Sequence, residues 1–296
     1  MTVNKCLFVS LLFLICSVCL NAQSNRIEGK VVDADGQPLH LALVYNAELS
    51  LGTYTDEKGH FLLETEVDEL ELEVFALGYL RKNIYPGKET GFIRVEMEEL
   101  AYDLEEVVVE PCVDKTISLG VDRESEFSSG LISSLGFGYL VGLSIPTPAE
   151  QQILEVEVMA RNHRLKKGSF RLRIMSLDSL GKPAEDILQQ NLIVNLPLWR
   201  TRRPIVIDMK DYQIKTPEYG ILVGVEWLGL SENESRWGSR NYYTPRLGLT
   251  KIDKSEDINK WKKREGWSWE AGGVPVLDDE SKHQVPYIRV NVDDCP

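Results

Sequence analysis

Seven short runs rich in apolar and β-branched residues punctuate the chain before residue 98: 26–32, 41–46, 52–55, 60–64, 70–75, 80–85 and 92–97. Each has the length and character of a strand. The clearest alternation sets Glu69, Glu71 and Glu73 against Leu70, Leu72 and Val74, which predicts one buried face and one wet, acidic face. Asp35-Gly36 and Lys58-Gly59 stand between runs, where glycine supplies the positive φ that other residues resist. Strands and tight turns at this spacing predict a small antiparallel sandwich, with its domain spanning 25–111.

The pattern continues to the C-terminus with longer strands. Leu154, Val156, Val158 and Ala160 alternate with Glu155, Glu157 and Arg161, and Phe170, Leu172 and Ile174 alternate with Arg171 and Arg173. A turn through Lys166-Lys167-Gly168 predicts a hairpin that presents both glutamates and both arginines on one solvent face. Further strands are expected at 190–196, 205–209, 221–228 and 287–292, with Ile221, Val223, Val225 and Trp227 on one face. The apolar stretch 130–147 contains Gly136, Gly138 and Gly142, and glycine within a strand marks a bulge or a close backbone approach. It is no phosphate loop, because no Lys-Ser or Lys-Thr follows and Pro146 and Pro148 oppose the required helix. Only 184–189 is expected to hold a turn or two of helix. About eight to ten strands without crossover helices predict a second sandwich over 112–296. It resembles in strand pattern the jelly-roll-like and galactose-binding-like folds. The expected class is all-β throughout.

The first domain carries a more specific likeness. Gly29-x-Val31, Asp35-Gly36-x-Pro38-Leu39, Val44, Gly52-x-x-Thr55-Asp56-x-x-Gly59-x-Phe61 and Gly78-Tyr79 together resemble the carboxypeptidase regulatory-like domain. That resemblance implies a prealbumin-like or immunoglobulin-like β-sandwich. The domain also precedes many TonB-dependent outer-membrane receptors, often followed by a tail like Leu104-Glu105-Glu106-Val107-Val108-Val109. In the peptidases it is an accessory unit without catalytic residues, and in the receptors a large barrel follows, so the likeness implies a scaffold and no activity. One departure is His40-Leu41, where the family has a small residue before the second strand, and a local packing change is expected there. Asp33-Ala34-Asp35-Gly36 could open a calcium loop, but Gln37-Pro38-Leu39-His40 supplies none of the later ligands. A plain Asp-Gly turn is the reading adopted.

Charge divides the chain at the same place as the pattern. Residues 23–111 hold 20 acidic and 7 basic side chains, whereas residues 112–296 hold 26 and 25. An acidic first domain disfavours nucleic acid and anionic membrane as partners. At the N-terminus Lys5, the apolar run 7–20 and Asn21-Ala22 read as an export signal over residues 1–22, cleaved near Ala22 or Gln23. A lipid anchor at Cys16 or Cys19 is the rival reading, opposed by Ile15 and Val18 at positions where small residues are expected. No integral membrane span is expected beyond that point. The protein is therefore expected in the periplasm, on the outer-membrane surface, or secreted. Cys112 and Cys295 remain after cleavage. In an oxidising compartment they either bridge the ends of the second domain or stay as two thiols.

All six tryptophans fall between Trp199 and Trp269. The polar stretch 231–273 sets Trp237, Tyr242, Tyr243, Trp261, Trp267 and Trp269 among charges and glycines, and it is expected to form one long loop. Flat rings beside hydrogen-bonding groups are what a sugar stacks on, and the same rings can equally pack beneath such a loop as a satellite cluster. Chemistry is absent from the pattern. His40, His60, His163 and His283 lack a metal-ligand spacing, Gly-x-Ser-x-Gly does not occur, and neither late cysteine sits in a nucleophile motif. The sequence thus predicts a non-catalytic exported module with no metal and no cofactor. Its expected partner is a carbohydrate or an envelope protein.

Overall fold

The computed structural model describes residues 25–87, 91–100, 115–121, 127–132, 138–161, 168–196, 203–228, 246–253, 260–264, 266, 268–272, 274–276 and 279–294. By their contacts, Met1–Val74 with Arg81–Glu98 form one unit and Phe75–Leu80 with Glu99–Pro296 form the other. The proposed export signal, Cys112 and Cys295 lie outside the described residues.

The seven early strands are β1 (Asn25–Val32), β2 (Leu43–Asn46), β3 (Leu51–Tyr54), β4 (His60–Thr65), β5 (Leu72–Phe75), β6 (Lys82–Ile84) and β7 (Ile93–Glu96). They form two sheets, ordered β4-β1-β7 and β3-β2-β5-β6. β1 runs antiparallel to β4 and parallel to β7. Period two is plain in β4, where Phe61, Leu63 and Thr65 are buried while His60, Leu62 and Glu64 are exposed. Val31, Leu43, Tyr45, Leu72, Val74 and Val95 are also buried.

Turn chemistry follows the glycines. Gly36 and Gly59 adopt φ of 80° and 75°. Asp33 Oδ1 accepts the Gln37 amide at 2.7 Å, and Asp56 Oδ1 accepts those of Lys58 and His60 at 2.9 and 2.8 Å, as Asx turns do. At His40-Leu41 the expected local change takes a definite form. Leu41 sits at φ 60° with its side chain buried, a conformation that bulky residues rarely adopt. Thr55 holds this corner, its hydroxyl donating to Leu39 O at 2.5 Å and accepting the Ala42 amide at 2.9 Å. The acidic face of β5 is also tied down. Glu73 accepts from Tyr45 at 2.5 Å and from Arg81 at 2.6 Å. Glu71 accepts from Tyr85, and that hydrogen bond holds the Tyr85 hydroxyl above its ordinary pKa.

The later strands are β8 (Thr116–Gly120), β9 (Phe127–Ile132), β10 (Tyr139–Ile145), β11 (Ile153–Val158), β12 (Ala160–Arg161), β13 (Ser169–Leu177), β14 (Pro183–Asp186), β15 (Leu192–Asn195), β16 (Ile205–Asp208), β17 (Ile221–Trp227), β18 (Arg246–Asp253), β19 (Lys260–Arg264), β20 (Glu270–Ala271), β21 (Val274–Val276), β22 (Asp279–Pro286) and β23 (Ile288–Asp293). A seven-stranded sheet runs β14-β13-β17-β10-β19-β20 with β15 also on β13, a four-stranded one β16-β11-β23-β8, and a five-stranded one β12-β18-β22-β21 with β9 on β18. One core joins all three. Leu143, Phe170, Leu172, Val223 and Trp227 come from the first sheet, Val156, Val158, Val290 and Val292 from the second, and Leu247 and Val285 from the third.

Three expectations are corrected here. β11 and β13 do not form a hairpin: β13 pairs with β17, β14 and β15, and β11 with β16 and β23. Alternation identifies a strand without naming its partner, and here β13 is buried on both faces. Residues 184–189 hold no helical turn, because Pro183–Asp186 pairs as β14. The stretch 231–273 is not one loop, since β18, β19 and β20 lie within it. Charge masked β19, where Trp261 is flanked by Lys260, Lys262 and Lys263.

Candidate functional site

The seven-stranded sheet turns Phe170, Leu172, Ile174, Val223 and Val225 into the core, so the alternate residues occupy its other face. Register arranges them in rows. One runs Ile193, Arg171, Glu226, Leu140, Lys263 and the next runs Arg173, Gly224, Gly142, Trp261. Backbone crowding holds position 142 to glycine, and position 224 leaves little room beside Leu140. A Cβ on Gly142 would lie 2.8 Å from Val223 O and 3.0 Å from Leu222 Cγ, and one on Gly224 would lie 3.1 Å from Leu140 Cδ1. Bare backbone lets Leu140 and Leu222 lie flat, and with Met175, Leu177 and Trp261 they form a satellite cluster against which Trp269 packs.

An ion network occupies the β13 end of this face. Arg171 forks onto Glu226, Nε to Oε2 at 2.9 Å and Nη2 to Oε1 at 2.7 Å. Arg173 Nη1 reaches Glu226 Oε2 at 3.2 Å, while its Nε donates to Asp186 Oδ1 at 2.7 Å and its Nη2 pairs with Asp186 Oδ2. Asn191 Oδ1 accepts from Arg171 Nη1 at 2.7 Å. The arginines expected on a wet face are thus buried, and the carboxylate that neutralises them comes from β17.

The aromatic end is built from β19 and the approach to β20. Trp261 is 8% exposed, and its Nε1–H has no hydrogen-bond partner among the described residues. The half-buried Trp269 meets it edge to face, with centroids 6.5 Å apart and planes at 87°. Lys263 Nζ stands 5.3 Å from the Trp269 centroid, a cation–π contact. Lys262 pairs with Glu270 at 2.6 Å, and that bond holds its ammonium above the ordinary lysine pKa. Burial lowers the pKa of the neighbouring Lys260, with Lys262 adding to the effect. The face bearing Trp261 offers two rings, an unsatisfied donor and the Lys263 cation, while register places Lys262 and Glu270 on the opposite face.

Of the six aromatic candidates, Trp261 and Trp269 are thereby brought together. Trp237, Tyr242, Tyr243 and Trp267 lie outside the described residues. Sequence reasoning missed Lys263, whose signal was the placement of Trp261 and Lys263 at i and i+2, on one strand face.

Comparison with known proteins accords with the first sandwich. Residues 27–109 match the family model of the CarboxypepD_reg-like domain, and this stretch is a carboxypeptidase regulatory-like β-sandwich. No curated protein matches the chain. The crystal structure of a DUF3823 family protein from Parabacteroides merdae is similar at 13% sequence identity, covering 76% of this chain and 98% of that one with a TM-score of 0.21, too low to carry an argument about fold. Among the described residues no helix is long and apolar enough to cross a membrane, which says nothing of a β-barrel.

Proposed function

We propose that this is a non-catalytic, exported binding module of the cell envelope whose second unit recognises carbohydrate around Trp261 and Trp269. One observation carries the reading: the buried Trp261 Nε1–H lacks an acceptor among the described residues. Leaving a buried donor unpaired costs about 1–3 kcal/mol, and a ligand oxygen would recover it. A pyranose combines such an oxygen with an apolar face suited to a tryptophan ring. Lys263, on the same strand face as Trp261, supplies a polar partner for the remaining hydroxyls. The first unit acts as a spacer.

Calorimetric titration against a panel of neutral glycans tests this. Trp261→Phe keeps a ring and removes the donor, so affinity should fall about tenfold. Trp269→Ala should abolish the heat while shifting the melting temperature little, because Trp269 is only half-buried. Absence of heat across the panel defeats the reading.

A second reading, docking of the first unit on an envelope protein, is favoured by one surface feature. His60, Leu62 and Phe92 stand exposed beside the β4-β1-β7 sheet, Phe92 at 63%, with the His60 and Phe92 rings 6.0 Å apart edge to face. An apolar cluster of this kind marks contact surfaces. If the reading holds, a protein co-purifying from envelope extract is lost with the double variant Leu62→Asp, Phe92→Asp. Its retention removes this surface from consideration.

A further inference from the structure

We propose that Lys260, on the strand face opposite Trp261, is a nucleophilic amine that takes a small aldehyde covalently as an imine. Lys260 opens β19 and stands across from Leu143 of β10. Val141, Leu143 and Ile145 turn into the core, and directly paired residues share a sheet face, so the lysine stem lies on the core side. Lys260 is only 8% exposed, and its ammonium has no hydrogen bond or ion pair among the described residues. Lys262 follows two residues on and so shares that face. Its own charge is taken by Glu270 at 2.6 Å.

An ammonium held out of water without an acceptor is costly, and a lysine escapes that cost by giving up its proton. Burial is the larger cause of the lowered Lys260 pKa, and the like charge of Lys262 adds to it. Leu143 and Gly272, which face Lys260 from β10 and from the end of β20, carry no titratable group to reverse the shift. Desolvation and a neighbouring cation are the two conditions that activate a lysine amine. Lys262 is the contrasting case, because Glu270 holds its proton on.

The backbone leaves room beside this amine. Gly272 donates its amide to Lys260 O at 2.9 Å, which makes it the neighbour across the strand pair. A Cβ built on Gly272 would meet no atom within 4 Å, so a small group has open space there among the described residues. Charge then selects the electrophile. Carbon dioxide would leave a buried carbamate anion near the Glu270 carboxylate, and both burial and repulsion oppose that. An aldehyde leaves an adduct with no negative charge. The Lys260 Nζ lone pair attacks the carbonyl carbon and the C=O π pair moves to oxygen. Both nitrogen protons pass to that oxygen, which leaves as water while the C=N bond forms. The step needs no oxidant or reductant, and it does not depend on the carbohydrate reading because Trp261 projects from the other face.

Reductive trapping of the whole protein tests this. Propanal with cyanoborohydride near neutral pH converts each imine to a stable secondary amine, and mass spectrometry of the digest reports conversion lysine by lysine. Lys260 should convert severalfold faster than the exposed Lys182 and Lys210. The gap should close at alkaline pH, where ordinary lysines also lose their protons. Lys262→Gln removes the like charge and should slow Lys260 while leaving Lys182 and Lys210 unchanged, a result that accessibility alone would not produce. Should that variant not fold, the pH series on the wild-type protein decides. Lys260 conversion no faster than that of Lys182 and Lys210, or a gap that persists unchanged at alkaline pH, would overturn the proposal.

Discussion

Replacing Glu226 by glutamine should lower the stability of the second unit by about 3–5 kcal/mol, the cost of removing one partner from a buried ion pair. For a unit of this size that corresponds to a melting temperature roughly 6–20 °C lower. The side chains of Arg171 and Glu226 are both fully buried, and Arg173 shares the same carboxylate. Glutamine preserves the shape of Glu226 and one acceptor oxygen. Of the two carboxylates that Glu226 and Asp186 set against these guanidinium groups, only that of Asp186, whose side chain is 16% exposed, then keeps its charge. A companion variant separates charge from packing. Arg171→Met, Glu226→Leu, Arg173→Met and Asp186→Asn together remove the charges of the network and largely fill its volume, and comparable replacements of whole buried networks are neutral or stabilising. Urea unfolding followed by tryptophan fluorescence suits both variants, since all six tryptophans lie in residues 199–269. A Glu226→Gln midpoint equal to that of the wild type would mean that the network contributes nothing to stability.

This network also shows where sequence reasoning stopped. Period-two alternation located β11, β13, β17 and β23 from their apolar residues alone, because each faces a core on one side. It assigned the intervening charges to water by default. Arg171 is buried because Glu226 stands directly opposite it, and that pairing depends on strand order across 55 residues. Within the first sandwich the legible signals were local. Asp-Gly turns, the glycine at position 29 and the acidic face of β5 each act within a few residues, so all seven expected strands appear. In the candidate site, Trp261 and Trp269 stood out by residue type. The role of Trp261 did not, because its burial depends on Gly142 and Gly224 admitting Leu222 and Leu140 from neighbouring strands.

Gly29→Ala should destabilise the first sandwich by about 3 kcal/mol, the upper part of the range for overpacked sites. Gly29 sits in the middle strand of β4-β1-β7, opposite Phe61 on one side and Ile93 on the other. A methyl group there would lie 2.4 Å from Ile93 O and 2.6 Å from Phe61 Cε1 and Cζ. Neither obstacle gives way easily. The Phe61 ring is 4% exposed and packed in the core, and moving the Ile93 carbonyl means parting β7 from β1. Glycine at this position of the motif is therefore a packing requirement of the parallel β1–β7 pair. Its φ is not in the left-handed region, so backbone strain plays no part. Adding Phe61→Leu shortens the obstructing ring and should recover some of the loss, while the carbonyl contact keeps full recovery out of reach. Hydrogen exchange at the Met97 amide, which donates to Val32 O at 2.8 Å beside this pair, should accelerate in Gly29→Ala and slow again in part with Phe61→Leu. Unchanged exchange in the single variant would show that β1 and β7 can part by the needed distance at little cost.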